Sequence, residues 1–498
     1  MSDQATTQDT AQTTGQDAER AQDRPTNRST TPTSSAFTEH IQAGWAEREQ
    51  PLPAVRAAAA PAAAHRAAIS ALHPGVRLVV PAGGLKVRSN DTDYPFRPHP
   101  DFTYLTGWGS DAEPDSVLVL EPVDGGEGHE AVLYFRGPAG RGTTEFYANA
   151  AIGEFWVGPR PSLAHVAADL GLAARDLAEL DDVFADGGDA LVVTGADASV
   201  EAALTAANPD GDLLARDLSE LRLVKDAWEV AEVQAAVDAT ARGFDDVIAD
   251  LAEATAHERG ERVVEGAFHR RARLDGNAVG YDTIAASGHH ACYLHWTRND
   301  GQVREGDLIL LDAGVEVDSL YTADITRTLP ISGTFTEVQR KVYEAVREAA
   351  DAAFAIVRPG IVFKEVHAAA MEVIARRTAE WGLLPISADE SLQPDQQLHR
   401  RWMVHGTSHH LGLDVHDCAA ARRDFYHDGI VREGMVFTIE PGLYFQADDL
   451  TVPEELRGIG VRIEDDIVVT ADGARNLSGA IPRTADEVEA WMREVRAR

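Results

Sequence analysis

A chain of 498 residues exceeds one ordinary hydrophobic core, so two or more domains are expected, and 44% hydrophobic content leaves ample material to fill them. The formal net charge of −36 argues against nucleic acid as a partner, because phosphate would be repelled over most of the surface. The only two cysteines, Cys292 and Cys418, suggest no disulfide framework, no secretory signal pattern opens the chain, and no apolar run reaches about 18 residues; a soluble protein of the reducing cytoplasm, with no membrane partner, is expected.

Residues 1–35 offer almost nothing to bury and are expected to form a disordered tail. From 36 to 75 alanine with spaced Arg and Glu suits helices, with Pro51, Pro53 and Pro61 as interruptions. Short apolar runs bounded by Gly, Pro or Asp then predict strands at 76–80, 116–120, 131–135 and 190–194, with a helix at 162–172 between the last two. This alternation indicates an N-terminal α/β domain over 36–217. Beyond a junction at 218–225, Val230, Val233, Val237, Phe244, Val247 and Leu251 recur at helical spacing. Thr336 with Gln339 forms a capping box for a second helix ending at Pro359-Gly360, and a third is predicted over 363–381. The polar stretch 385–400 reads as an exposed insertion.

Chemistry concentrates in the apolar runs of 218–498, each of which carries an acid. Asp312 ends Leu308–Gly314, Asp324 lies in 319–330, Glu440 in 435–445 and Glu464 in 460–470. The two pairs repeat one pattern, which reads as a weak internal duplication. One such acid could be a strand-end residue bound to backbone N–H groups. Four together in core sequence would repel one another, and leaving each buried without a partner costs several kcal/mol. Arg327 and Arg462 are the obvious nearby bases. Two divalent ions would balance the four carboxylates, and one imidazole could complete the shell. Histidines abound in His405-Gly-Thr-Ser-His409-His410-Leu-Gly-Leu-Asp-Val-His416, whose glycines favour a loop or bent strand over a helix. An oxygen-rich set with a single imidazole suits Mn²⁺ better than a thiolate-seeking ion. Such a centre activates water for amide or ester hydrolysis.

These motifs resemble the pita-bread metallopeptidases: Leu-Leu-Asp312-Ala-Gly, Thr-Ala-Asp324-Ile-Thr-Arg-Thr, the histidine stretch with His409, Thr-Ile-Glu440-Pro-Gly and Val-Arg-Ile-Glu464-Asp-Asp follow that group's ligand order. Tyr94-Pro-Phe-Arg-Pro-His-Pro-Asp-Phe-Thr-Tyr-Leu-Thr-Gly107 is similar to the first domain of the Xaa-Pro aminopeptidase (aminopeptidase P) branch. The resemblance implies an α/β N-terminal domain followed by an α+β pita-bread catalytic domain over 218–498. It implies two divalent ions, Mn²⁺ before Co²⁺ or Zn²⁺, on Asp312, Asp324, His409, Glu440 and Glu464, with Asp324 and Glu464 bridging and a bridging hydroxide attacking the peptide. Glu440 would be the base. His295 and His416 would face the scissile carbonyl, His405 would orient His416, and Arg462, Tyr444 and Tyr281 would hold ligands and substrate. His410 is expected to line the site. The implied substrates are peptides with proline second, cleaved before it, by a homodimer or homotetramer. The near alternative is a prolidase restricted to Xaa-Pro dipeptides; a more distant one is a pita-bread protein that binds peptides or proteins without catalysis.

Overall fold

The computed structural model describes residues 31–32, 34–46, 51–90, 92–123, 125, 128–185, 187–204 and 212–498. Nearly all of the expected 1–35 tail lies outside these residues; its end does not, since a helix starts at Ser35 with the Ser34 hydroxyl accepting from the Phe37 amide. The chain divides into two compact units: a small one within Met1–Gln50, Ser89–Thr92 and Pro138–Pro161, and a large one comprising Pro51–Arg88, Asp93–Gly137 and Ser162–Arg498. In the small unit helix Ser35–Gln42 meets Thr144–Ala148 through Phe37 edge-on to Tyr147, and the Arg141 guanidinium lies 4.0 Å from the Trp45 ring centre.

The large unit opens with helix Ala59–Leu72. Pro61, expected to interrupt it, sits in the first turn, where its missing N–H has no helical acceptor to lose. A five-stranded sheet follows in the order β4-β3-β2-β1-β5, with β1 Arg77–Pro81, β2 Val117–Pro122, β3 His129–Phe135, β4 Ala173–Asp176 and β5 Ala190–Val192. β2 runs antiparallel to β1 and β3; β5 joins β1 and β4 joins β3 in parallel. No apolar pattern marks β4 as a strand, because its residues are half-buried or exposed. The other runs are continuously apolar because both faces are covered: Leu78, Leu118 and Leu133 enter the main core, while Val79, Val119 and Tyr134 enter a separate smaller one.

The remainder of the large unit is a layer of helices around four small sheets among the described residues, one of them the antiparallel pair Ala278–Val279 and Val315–Glu316. Helix α1, Ala227–Ala256, buries the predicted stripe and is capped reciprocally by Asp226 and Glu229; α2, Gly260–Asp275, packs along it. One sheet has the order β8-β7-β6, with β6 Ile284–Ser287, β7 Leu308–Ala313 and β8 Ile325–Pro330, all antiparallel. After α3, Glu337–Ile356, with its Thr336/Gln339 capping box, and α4, Lys364–Glu380, come β9 Val436–Ile439, β10 Gly442–Tyr444, β11 Gly460–Arg462, β12 Asp465–Val469 and β13 Ala474–Asn476. β9, β12 and β13 form the second sheet, and β10 pairs with β11. Helix α5, Ala485–Arg496, closes the chain on Thr484 and Glu487.

The 385–400 stretch is not a wholly exposed insertion. It contains a helical turn, Ala388–Ser391, and leads into a second at Leu398–Trp402, and both Ser391 and His399 are buried. The Ser391 hydroxyl lies 2.9 Å from His399 Nδ1 and accepts from the His399 amide at 3.0 Å, so the two polar groups satisfy one another inside.

Candidate metal centre

Each of the four acids stands at a strand end, where backbone geometry can aim it out of the ladder. Asp312 is the next-to-last residue of β7, Asp324 immediately precedes β8, Glu440 immediately follows β9, and Glu464 lies between β11 and β12. The sheets meet through β8: the Glu464 amide donates to the Thr326 carbonyl at 3.1 Å, and the Thr328 hydroxyl to the Arg462 carbonyl at 3.0 Å. The histidine segment is a loop with one isolated bridge, His410 to Phe437, as its glycines allow. It lies along β9 through Thr438 N–H to His409 O (2.9 Å), Glu440 N–H to Thr407 O (2.8 Å) and Leu411 N–H to Val436 O (3.1 Å).

Two glycines in these motifs are required by close approach. A Cβ on Gly314 would stand 1.7 Å from the Ala323 carbonyl oxygen, so only glycine lets the Asp324 segment close on β7. A Cβ on Gly442 would stand 2.2 Å from the Tyr444 hydroxyl, which explains Glu-Pro-Gly.

The side chains converge. His409 Nε2 lies 3.2 Å from Asp324 Oδ2 and 3.7 Å from Glu440 Oε1, while Nδ1 donates to the His410 carbonyl at 3.2 Å and so fixes the tautomer that leaves Nε2 facing the acids. Asp324, His409 and Glu464 each offer a ligand atom within 4.8 Å of the others. The Tyr281 hydroxyl is 2.7 Å from Asp312 Oδ1 and 2.5 Å from Asp324 Oδ1 and donates to one at a time. Arg462 holds Asp312 Oδ2 with Nη2, donates to the Tyr444 hydroxyl with Nη1 (3.0 Å) and to Thr326 Oγ1 with Nε (3.1 Å); Thr326 in turn donates to Glu464 Oε2 at 2.7 Å.

Asp312, Asp324, Glu464 and Arg462 are buried and Glu440 nearly so, whereas His295 and His416 are exposed, so the acids form the floor and two imidazoles the rim. The electrostatics follow from this burial. Desolvation holds Glu440 up to about 7 and pushes Asp312 and Glu464 above the ordinary carboxylate range against the pull of Arg462. Asp324 goes the other way: burial would raise it, but the hydrogen bond and charge of His409, with the Tyr281 hydroxyl and the His416 charge, together outweigh that. Burial would likewise lower His409, yet Asp324 and Glu440 carry it up to about 9. Four acids thus face one guanidinium and one imidazole. An oxygen-rich donor set with an excess of negative charge fits divalent cations.

Three expectations need correction. The His405 ring does not orient His416: its Nε2 accepts from the Tyr444 hydroxyl at 2.8 Å and its Nδ1 donates to the Gly406 carbonyl at 2.6 Å, 3.5 Å from Glu440 Oε2. His410 lines nothing; it is fully buried, stacked on Phe363 at 4.5 Å and edge-on to Tyr426, and burial lowers it to about 3. Tyr444 and Tyr281 do not present free hydroxyls to a substrate, because both are engaged by the groups just described. His416 stands edge-on to His409 at 4.3 Å between ring centres, and His295 is close enough for its charge to depress His416 further, after burial and His409.

Thr326, Asp465 and Asp466 carry no role in the sequence reading. Asp466 Oδ2 accepts from the Asp324 amide at 3.1 Å, and Asp465 is held by Arg327 at 2.7 Å and by Arg483 at 2.7 Å. The signal was the doubled acid in Glu464-Asp-Asp. A second His–acid group, His65 with Asp226 and Glu229, is accounted for by helix capping and by the His65 ring stacked 3.9 Å from Tyr104.

The chain is similar to known metallopeptidases. The family description "Metallopeptidase family M24" matches residues 231–471, and "Aminopeptidase P, N-terminal domain" matches 62–190. Xaa-Pro aminopeptidase 1 of Streptomyces coelicolor is 54% identical over 465 residues, 92% of each chain. Xaa-Pro aminopeptidase of Escherichia coli is 34% identical over 455 residues, 86% of this chain and 96% of its own. The low-pH form of aminopeptidase P from Escherichia coli superposes with a TM-score of 0.76 at 32% identity, covering 88% of this chain and 99% of that one.

Proposed function

Since the chain belongs to metallopeptidase family M24 and carries an aminopeptidase P N-terminal domain, we propose that it removes the first residue from peptides with proline second, Xaa-|-Pro-Yaa. The observation that carries this reading is the convergence of Asp312, Asp324, His409, Glu440 and Glu464 on one acid-rich floor, in a chain 54% identical to an Xaa-Pro aminopeptidase.

Two divalent ions held by those five residues would supply Lewis acidity and a nucleophilic water at neutral pH. Glu440, beside His409 on that floor, would take the proton of that water. His416 and His295, on the rim, would donate to the scissile carbonyl as charge develops on its oxygen. Arg462 and Tyr281 hold the acids, and Tyr444 with His405 braces the Glu440 side. An Xaa-Pro bond has no N–H and a fixed φ, so a site that attacks the carbonyl without needing that amide can accept it.

The finer proposals follow. Residues 36–217 would act as the N-terminal α/β domain and 218–498 as the catalytic one. Mn²⁺ is the first candidate ion from the oxygen-rich donor set, with Co²⁺ or Zn²⁺ as substitutes; a zinc-substituted Escherichia coli aminopeptidase P is among the similar structures. Two buried free thiols fit the cytoplasm, and a homodimer or homotetramer is the assembly to test by a size measurement. No helix among the described residues is long and apolar enough to cross a membrane. The deciding assay compares Xaa-Pro-Yaa with Xaa-Pro after reconstitution with Mn²⁺. Turnover confined to the dipeptide would replace this reading with a prolidase, and a purified protein that binds no Mn²⁺, Co²⁺ or Zn²⁺ would point to a non-catalytic peptide binder.

A further inference from the structure

The segment bearing His416 is tied at its ends by backbone bonds, from the Thr322 N–H to the Gly412 carbonyl at 3.0 Å and from the Asp417 N–H to the His410 carbonyl at 2.9 Å. The His416 ring is exposed and meets the His409 ring edge-on, and residues 413–417 form no strand or helix. The charges that fix the segment come from elsewhere. Arg97, in the Tyr94–Gly107 motif of the N-terminal region, uses all three of its nitrogens: Nε donates to Glu316 Oε2 at 2.7 Å, Nη1 to Asp414 Oδ1 at 3.2 Å, and Nη2 to the Leu413 carbonyl. Asp101 of the same motif holds Arg222 Nη1 at 2.7 Å, and Arg222 Nη2 reaches Asp414 at 3.4 Å and Asp417. Lys225 Nζ donates to the other Asp417 oxygen at 2.8 Å. His416 therefore sits between two aspartates, Asp414 and Asp417, both clamped by cations that the N-terminal motif supplies or orients.

The charges explain why so much is invested there. Asp101, Arg222, Lys225 and Asp417 are all buried, and a buried ion is tolerated only where partners satisfy it. Such a network favours one geometry over neighbouring ones, since any shift of Asp414 or Asp417 breaks charge-assisted bonds. Arg97 is irreplaceable by lysine in this role, because a single ammonium cannot span a carboxylate on β-strand residue Glu316, a second carboxylate and a carbonyl.

We propose that Arg97 is a positioning residue, which together with Asp101 acting through Arg222 lets the N-terminal region hold His416 at the reacting carbonyl. This rests on the role given to His416 above. It also assigns a task to the Tyr94–Gly107 motif that metal binding leaves unexplained.

The test is a double-mutant cycle in the full-length, Mn²⁺-loaded enzyme on an Xaa-Pro-Yaa peptide, with Arg97→Met and His416→Ala. Arg97→Met alone is expected to lower kcat/KM about 10- to 100-fold, mostly in kcat, and to cost no more than about twofold once His416 is already alanine. Arg97→Lys should recover only part of the loss. Bound metal, measured by elemental analysis, should be unchanged. Losses that multiply across the two backgrounds, a wild-type rate in Arg97→Met, or loss of metal would each overturn the inference. If His416→Ala alone keeps full activity, the role of His416 fails instead, and that outcome is separate from the Arg97 result. Should Arg97→Met fold poorly, Asp414→Asn, at a half-buried carboxylate that accepts from both arginines, runs the same cycle with the same expected outcomes.

Discussion

Metal ions and protons compete for the same atoms in this site, and the competition has a predictable sign. With only protein groups around it, His409 is carried from 6.5 up to about 9, and Glu440 is held from 4.5 up to about 7. Both folded values lie above the unfolded ones. The stability they contribute is therefore complete below the unfolded values and is lost as pH rises through the folded ones. Below pH 6.5 the buried neutral imidazoles of His405, His410 and His367, lowered to about 3, 3 and 4, oppose this, because unfolding lets them take protons. From pH 6.5 to 9 the metal-free protein loses stability on the order of 3 kcal/mol from His409, at about 1.4 kcal/mol per pH unit, with Glu440 adding its share up to about pH 7. His65 titrates in the same window, raised to about 9 by Asp226 and Glu229 against burial, so metal-free unfolding alone does not isolate the site. Metal does isolate it. Binding Mn²⁺ would displace the His409 proton, and near pH 7 that of Glu440 as well, so the extra stability conferred by a fixed excess of Mn²⁺ should grow by at least about 1.4 kcal/mol per pH unit between pH 6.5 and 8.5. Urea unfolding with and without Mn²⁺ measures this, and calorimetry in two buffers counts the released protons. A metal-induced gain that stays level over that range, with no proton release, would refute the argument and with it His409 as a ligand.

Other perturbations probe the remaining parts. Glu440→Ala should reduce Xaa-Pro-Yaa turnover by at least about 10³-fold while the thermal unfolding transition stays cooperative; survival of activity within tenfold would remove Glu440 as the base. Tyr281→Phe deletes the hydroxyl shared by Asp312 and Asp324, and metal titrations should show affinity reduced about 10- to 100-fold, with an unchanged affinity counting against its bracing role. Arg327→Met leaves the Thr326, Glu464 and Pro482 carbonyls without their buried donor, which should cost about 3–5 kcal/mol in urea unfolding, and a loss below about 1 kcal/mol would show that water replaces it.

The four clustered acids were legible because they break a strong local pattern. An acid inside Leu-Ile-Leu-Leu-Asp or Val-Phe-Thr-Ile-Glu cannot be read as solvent-facing, and the capping box at Thr336 rests on residues three apart. What stayed hidden depends on partners distant in sequence. His405 finds Tyr444, 39 residues on, and no spacing rule brings those two together. His410 differs from its neighbour His409 only in facing Phe363 and Tyr426, which come from other segments. Ser391 and His399 read as surface because each is polar, yet the Ser391 hydroxyl and His399 Nδ1 pair in the interior. Helix α2 went unread because its many charged residues, arginines above all, blur the apolar stripe that buries Val264, Ala267 and Phe268.

The motif Asp324-Ile-Thr-Arg-Thr328 shows how much further one strand's period can be taken. Successive side chains of a strand point to opposite faces, so Asp324, Thr326 and Thr328 share one face and Ile325 and Arg327 the other. The first face is the site's: Asp324 meets His409, Thr326 relays between Arg462 and Glu464, and Thr328 pairs with the Arg462 backbone at both N–H and carbonyl. On the other face Arg327, fully buried, donates to the Glu464 carbonyl at 2.7 Å and to Asp465 at 2.7 Å. One strand therefore grips the Glu464 segment from both sides, by the Thr326 hydroxyl at the Glu464 side chain and by a guanidinium at its backbone. Glu464 is pushed well above its usual range by burial and by the other acids, and its carboxylate must stay where metal would compensate it. The double grip supplies the restraint that its own charge works against, which is the physical reason an arginine belongs inside this core.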